Sequence, residues 1–161
     1  MKKQNLIALA LCLLFGLTAC SRQSPLQPNM PFNGDVSFHD ITLTVPNRFV
    51  RDSAQSTEDV WLFERGGYAE YVLIMRNDLD GEVSQVLTDY AAYMKEQGVD
   101  SSLVSFLNGE AVHSVYEKEG EYCQEIVFAH GNSTYAVALR GGTEAGFQEI
   151  VNTIQLTEIA E

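Results

Sequence analysis

The sequence predicts an α+β domain in which an antiparallel β-sheet of about seven strands packs with two helices. Short apolar runs with alternating or continuous hydrophobicity recur over residues 38–140 and predict the strands. Two other segments repeat their apolar residues with helical spacing, which predicts one helix in the middle of the chain and one near residue 150. Turn residues separate the runs, so we expect most neighbouring strands to be antiparallel.

The first predicted strands lie before residue 76. Residues 41–45 alternate apolar and polar side chains, so a strand is expected to end at Pro46. Two apolar runs follow at residues 60–63 and 71–75, and a double glycine marks the turn between them. Because both runs are apolar on both faces, we expect them to be central strands that are covered on both sides.

A helix is predicted from about Glu82 to Gln97. Asp80 is the expected cap at its start, and Gly98 is expected to stop it. The apolar residues at positions i, i+3, i+4, i+7 and i+11 form one stripe, which consists of Val83, Val86, Leu87, Tyr90 and Met94.

The next segment predicts two hairpins. The pair Asn108-Gly109 between two apolar runs is the strongest short-range hairpin signal, and it predicts strands at residues 103–107 and 111–116. Two further strands are expected at residues 122–129 and 133–140. A double glycine then separates the last strand from the second predicted helix.

The order of these elements is itself informative. A strand that closes on Pro46, with the aromatic Phe49 three residues later, opens the domain. A strand pair, a long helix, an antiparallel meander and a terminal helix follow, and the terminal helix carries Phe147, Ile150, Val151 and Ile154 on one face. This order resembles the PsbP-like fold of the extrinsic P subunit of photosystem II and of bacterial lipoproteins of the DcrB type. The resemblance covers about residues 35–156 and implies an accessory or binding role, with no catalytic signature to transfer.

The first nineteen residues have the composition of a bacterial export signal. Lys2 and Lys3 open it with positive charge, and an apolar run from Leu6 to Leu17 follows. A run of about twelve residues matches a signal-peptide core and is shorter than the roughly 20 residues that a bilayer-spanning helix needs. We therefore interpret residues 1–19 as a signal peptide.

The run ends in Leu17-Thr18-Ala19-Cys20, which resembles the lipobox of bacterial lipoproteins. The resemblance implies cleavage between Ala19 and Cys20 and a diacylglycerol, with palmitate-like chains, on the Cys20 thiol. Two or three acyl chains anchor a protein stably, whereas one binds a membrane only marginally. The alternative is an ordinary signal peptide in which Cys20 is incidental.

These features predict an extracytoplasmic protein that contacts the lipid bilayer through acylated Cys20. Ser21 rather than aspartate follows the cysteine, so we expect the outer membrane in a two-membrane bacterium and the outer face of the cell membrane in a one-membrane bacterium. Residues 20–34 hold the lipidated cysteine and a proline-rich flexible tether, residues 35–156 form the domain, and residues 157–161 form a tail.

The composition argues against one class of partner. The formal net charge is −12 at pH 7, and removal of the two lysines in the signal peptide makes it more negative. Binding to nucleic acid or to anionic lipid by charge requires clustered lysine and arginine, which this chain lacks. We therefore expect no nucleic-acid partner.

No motif predicts a catalytic, cofactor or metal site. A Gly-x-Ser-x-Gly elbow is absent, and aligning Gly81 with the sixth position of a calcium loop puts Arg76 first and Leu87 twelfth, where carboxylates are required. The alternative is an envelope enzyme or metal-binding protein whose site combines His113, Cys123 and His130 from neighbouring strands. Against this, no histidine or cysteine spacing resembles a zinc motif, and Cys123 reads as a buried apolar residue in a strand.

Aromatic residues provide the remaining candidate surface. They cluster around the predicted central strands and first helix, and comprise Trp61, Tyr68, Tyr71, Tyr90 and Tyr93. Such residues line grooves for peptides or small ligands, or pack in the core. We therefore expect a non-enzymatic, membrane-anchored binding or envelope accessory domain with a protein or peptide partner that the sequence does not identify.

Overall fold

A computed structural model describes residues 34–157 of the chain. The predicted signal peptide, the predicted lipidation site Cys20, the predicted tether up to residue 33 and residues 158–161 of the tail lie outside the described residues. Neither helix between residues 34 and 157 has the length and apolar character that crossing a bilayer requires.

Ten strands and two helices make up the part of the chain that the structure describes. The strands are β1 Asp35–Phe38, β2 Ile41–Thr44, β3 Val50–Arg51, β4 Val60–Arg65, β5 Glu70–Asp78, β6 Asp100–Phe106, β7 Gly109–Lys118, β8 Glu121–His130, β9 Ser133–Arg140 and β10 Gln155–Leu156. The helices are α1 Val83–Glu96 and α2 Glu144–Val151.

The predicted antiparallel sheet is confirmed. Seven strands follow one another in the spatial order β3-β4-β5-β9-β8-β7-β6, and every neighbouring pair is antiparallel. The long strands β5, β8 and β9 lie at its centre. Their apolar runs are buried on both faces, as the continuous hydrophobicity of residues 71–75 predicts.

A second sheet of three strands, in the order β1-β2-β10, was not predicted. The sequence pattern around Phe38 and Ile41 indicates one strand. In the structure, His39 has a φ of 51° and the chain turns back on itself there, so that two short strands pair with each other. Strand β10 pairs with β2 through Gln155 and Leu156 alone. Two residues are too few to show a strand period.

The seven-stranded sheet is covered on both faces. The small sheet and α2 cover one side, here called the small-sheet face, with a core that includes Phe38, Ile74, Val137, Phe147 and Ile150. Helix α1 covers the other side, here called the helix face, with a core that includes Leu62, Leu73, Leu87, Met94 and Val127. Because alternate residues of a strand point to opposite faces, each central strand contributes to both cores.

Helix α1 agrees with its predicted limits to within one residue at each end. The predicted cap is wrong: Glu82 occupies the capping position in an extended conformation, and its side chain accepts no capping hydrogen bond. Gly98 stops the helix as expected, with a φ of 78° and an N–H that donates to the Lys95 carbonyl at 2.9 Å.

The β6–β7 turn is one residue earlier than predicted. Leu107 and Asn108 occupy it with φ values of 47° and 65°, and Gly109 pairs with Phe106 as the first residue of β7. Two consecutive positive φ angles are typical of a type I′ turn, which matches the twist of the two strands. The inward-facing side chains determine the register of β6 against β7. With Phe106 as the last paired residue before the turn, its side chain packs on the core.

Candidate functional site

The three residues of the predicted alternative site do not meet. His113 lies on the small-sheet face, where its ring stacks on Phe147 with centroids 5.8 Å apart. Cys123 is 2% exposed and lies on the helix face. His130 ends β8, and its Nε2 is 2.9 Å from the carbonyl oxygen of Thr157.

The strand register explains this separation. His113 pairs with Ile126 of β8, so residues an even number of positions from Ile126 share its face. Cys123 is three positions away and points to the other face, whereas His130 is four positions away, about 13 Å along the strand. Among residues 34–157, no group of three histidine, cysteine or acidic side chains is placed to hold a metal ion.

The structure places Cys123 as a buried strand residue. Burial raises the pKa of its thiol to about 11. Its Sγ donates to the carbonyl oxygen of Glu121 at 3.5 Å. A thiol with such a raised pKa is a poor nucleophile at neutral pH, because the thiolate is the reactive form.

The predicted aromatic residues lie in three separate places. Trp61 belongs to the small-sheet face, where it meets the edge of the Phe38 ring and stacks under the Arg51 guanidinium at 3.7 Å. Tyr68 lies in the β4–β5 turn and donates its hydroxyl to Asp52. The other three, Tyr71, Tyr90 and Tyr93, gather on the helix face around α1.

A buried glutamate lies at the centre of this tyrosine group. Glu125 is fully buried on β8, and the hydroxyl of Tyr90 donates to its Oε1 at 2.6 Å. Within residues 34–157, its Oε2 has no hydrogen-bond partner. Burial raises the pKa of Glu125 to about 7, and the hydrogen bond from Tyr90 opposes that shift. Sequence patterns missed Glu125, because a single acidic residue in a strand otherwise indicates a solvent-facing position.

One cross-strand row borders Glu125 on the helix face. In this row, Tyr71 of β5 pairs with Arg140 of β9, and Arg140 pairs on its other side with Cys123 of β8. Cys123 in turn pairs with Tyr116 of β7. Arg140 binds Glu119 and Glu121 at 2.6 and 2.5 Å and donates to the Tyr71 hydroxyl at 3.4 Å. These glutamates occur in sequence as a strand-end cluster, and the cation that holds them lies at the end of β9, the strand that follows and pairs with β8.

An apolar cleft lies at the end of the sheet where the β6–β7 and β8–β9 turns meet. Its volume is about 140 Å³. The apolar lining comes from four separate parts of the chain and consists of Val83, Phe106, Leu107, Phe128, Ala129 and Leu156. Glu110 and His130 supply its polar groups.

The position of Leu107 in the cleft is conformationally costly. Its φ of 47° is a left-handed conformation that costs a non-glycine residue about 1–2 kcal/mol. The turn nevertheless places the Leu107 side chain against the core and in the cleft wall. The sequence signals the turn here but not the cleft, whose walls come from segments far apart in the chain.

Comparison with known proteins identifies the fold of this chain but no relative by sequence. No protein-family model matches this chain, and no curated protein matches it. The solution structure of cyanobacterial PsbP (CyanoP) from Synechocystis sp. PCC 6803 is similar over 73% of this chain and 86% of that one, with a TM-score of 0.52 and 7% sequence identity.

A crystal structure of a Bacteroides thetaiotaomicron VPI-5482 protein is similar over 74% of this chain, with a TM-score of 0.50 and 18% identity. The chain spans about half of that protein, 46% of its length. At these identities the likeness concerns the fold alone. The two-helix arrangement around a seven-stranded antiparallel sheet, together with the cyanobacterial structure, shows that this chain has the PsbP-like α+β fold.

Proposed function

We propose that this chain is an extracytoplasmic lipoprotein, anchored to a membrane through acylated Cys20, whose domain binds a protein or peptide partner and catalyses no reaction. The observation that carries the binding part is the apolar cleft between the β6–β7 and β8–β9 turns. PsbP-like neighbours are compatible with such an accessory role.

The size of the cleft supports a protein partner over a small-molecule substrate. Pockets for cofactors and drug-sized ligands enclose about 300–1,000 Å³. A cleft of about 140 Å³ has room for one apolar side chain of a partner. Its lining offers apolar contact and few polar groups, which suits an anchoring residue such as leucine, methionine or phenylalanine.

The anchoring part of the proposal rests on the sequence. Residues 17–20 match the lipobox pattern, and the segment before them matches a signal-peptide core. In the unprocessed full-length chain, Cys20→Ser removes the thiol that would be acylated. We expect labelling by radioactive palmitate to be lost and the protein to leave the membrane fraction. Continued labelling or membrane retention of the Cys20→Ser chain would contradict the anchor.

The binding part is tested with photo-crosslinking residues in cells that produce the full-length chain. A crosslinker in place of Glu110, on the cleft, is expected to capture a specific protein. A crosslinker in place of Ala92, on the exposed side of α1, is the matched control and is expected to capture none.

Filling the cleft should abolish that capture. Ala129→Phe places a ring in the space that the partner side chain would occupy, and Ala92→Phe adds the same group elsewhere. Thermal unfolding of both variants is measured to check that they remain folded. Capture that survives Ala129→Phe, or that occurs equally from position 92, would overturn the assignment of the cleft as the binding site.

The alternative of an envelope enzyme or metal-binding protein requires His113, Cys123 and His130 to converge. Their positions on two faces and at different points along the strands give that alternative no geometric support. Turnover of any substrate in a broad hydrolase screen, with loss on replacing one of the three, would restore it and overturn our proposal.

A further inference from the structure

Strand β6 forms one edge of the seven-stranded sheet. Its partner among the described residues is β7, on one side only. An edge strand presents backbone N–H and C=O groups without ladder partners, which can pair with a further strand. The other edge of the sheet, β3, contains two residues and offers almost no such surface.

The β6–β7 turn determines which groups of β6 point outward. In a hairpin with a two-residue loop, the residues that flank the loop exchange hydrogen bonds, and the bonded pairs then alternate. Phe106 and Gly109 flank this loop, so Val104 and Ser102 also bond to β7. The N–H and C=O groups of Leu103 and Ser105 therefore point away from the sheet.

The accessible part of this edge is short and has a defined centre. Ser101 is buried at one end, with 1% exposure, and the turn at Leu107 closes the other end. Residues 102–106 remain, and Val104 is the middle residue of this segment. Leu103 is 44% exposed, which makes it an exposed large apolar side chain at the edge of the sheet.

Strand β6 lacks the features that normally prevent pairing of sheet edges. Natural edges carry lysine, proline, bulges or inward-pointing charge. Residues 101–107 contain no charged residue and no proline, and the pairing with β7 runs without a bulge. The segment is uncharged in a chain whose formal net charge is −12.

We infer that β6 is a self-association edge, where residues 102–106 pair antiparallel with the same residues of a second copy of this chain. The two-fold axis passes between the two Val104 residues. The outward groups of Leu103 then bond to those of the partner's Ser105, and the reverse pair is identical. Val104 faces the partner's Val104 across the axis. A two-fold interface must be self-complementary in this way.

Side chains and charges fit this register. Leu103 meets the partner's Ser105, which is uncharged, on the helix face, and Ser102 meets the partner's Phe106 on the small-sheet face. Asp100, just before the segment, lies opposite the partner's Asn108, so it does not face an acidic residue of the partner. One strand pair buries less surface than the roughly 1,200–2,000 Å² of a standard interface. We therefore expect a weak dimer whose population rises with protein concentration.

The register is tested by disulfide formation in the purified full-length chain. In Val104→Cys, the two thiols lie across a pair that is not hydrogen-bonded, with Cα atoms about 4.5 Å apart, which a disulfide spans. In Leu103→Cys, the two thiols lie on a diagonal at about 7–8 Å, which exceeds disulfide reach. We expect mild oxidation to link Val104→Cys chains about tenfold more than Leu103→Cys chains.

The expected order of disulfide linking is the opposite of the order of side-chain exposure, because Leu103 is exposed and Val104 is half-buried. Random collision would link Leu103→Cys first. The parent chain, oxidised in parallel, sets the background from the native cysteines. Mixing Leu103→Cys chains with Ser105→Cys chains should restore linking, since those two positions face each other. Equal linking at positions 103 and 104, or the reverse order, would overturn the inference.

A charge at the edge provides an independent readout. Ser105→Lys places a lysine where the two strands meet, and Ser84→Lys makes the same change on the exposed side of α1. Both variants reduce the negative charge equally, so general repulsion changes alike. Amine-independent chemical crosslinking should detect the dimer in Ser84→Lys and lose it in Ser105→Lys. A dimer that persists in Ser105→Lys would place the contact elsewhere.

Discussion

Glu125 is an ionisable residue held where its charge is unfavourable. It lies on β8 beneath α1, where Tyr90 donates a hydrogen bond to Oε1 and no group in the described part of the chain pairs with Oε2. Burial therefore raises its pKa to about 7 from a usual value of 4.5. Burial penalises the neutral acid less than the carboxylate.

This shift predicts that the domain loses stability as the pH rises. The native state binds the Glu125 proton more tightly than the unfolded chain, so its contribution is complete below pH 4.5 and is lost as the pH rises through about 7. The contribution is about 3 kcal/mol at most. Urea unfolding at pH 5 and pH 8 measures it.

Glu125→Gln should remove most of this pH dependence. The amide has nearly the shape of the protonated acid and does not ionise, so the variant should be more stable than the parent chain at pH 8. Glu110→Gln, at an exposed strand position, is the control and should leave the pH profile unchanged. A parent chain equally stable at both pH values would show that Glu125 does not titrate in this range.

At the scale of elements, close approach of two turns constrains the end of β9. Gly141 has a φ of 73°, and its N–H donates to the Tyr122 carbonyl at 2.9 Å. A Cβ atom at this position would lie 2.1 Å from the carbonyl oxygen of Ala69, in the β4–β5 turn. The glycine thus lets β9 pass against that hairpin.

Gly141→Ala should therefore lower the free energy of unfolding by more than a strained φ angle alone would. Gly120, in the β7–β8 turn, also has a positive φ, of 81°, but no atom of the described residues lies within 4 Å of its added Cβ. We expect Gly120→Ala to cost about 1 kcal/mol and Gly141→Ala to cost about 3 kcal/mol or more. Urea midpoints of the two variants measure the difference. Similar midpoints would show that the Ala69 turn moves away freely.

At the scale of the whole molecule, one sheet joins two cores. Met94 of α1 is fully buried on the helix face, and Phe147 of α2 is fully buried on the small-sheet face. Each packed layer lies about 10 Å from the sheet, so the two side chains do not touch. Both cores nevertheless use the same central strands, and we expect them to unfold together.

Met94→Ala and Phe147→Ala should each cost about 2–5 kcal/mol, and the double variant should cost their sum to within about 0.5 kcal/mol. A single urea transition, coincident by far-ultraviolet circular dichroism and by tryptophan fluorescence, would establish that the cores are one cooperative unit. Separate transitions for the two probes would contradict this.

The sequence by itself determined the antiparallel α+β class, the limits of α1 and the positions of most strands. These depend on local periodicity and on glycine stops such as Gly98, which adjacent residues express directly. The Cys20 anchor and the binding role remain predictions from the sequence.

The tertiary structure alone decided the small sheet, the exact turn at Leu107, the cleft and the surroundings of Glu125. Strand β10 is too short for any period, and the cleft joins Val83, Phe106 and Leu156 from segments far apart in the chain. Whether His113 and Cys123 meet depends on the register between β7 and β8. A shift of one residue reverses the face of every side chain, and packing of the complete core selects that register.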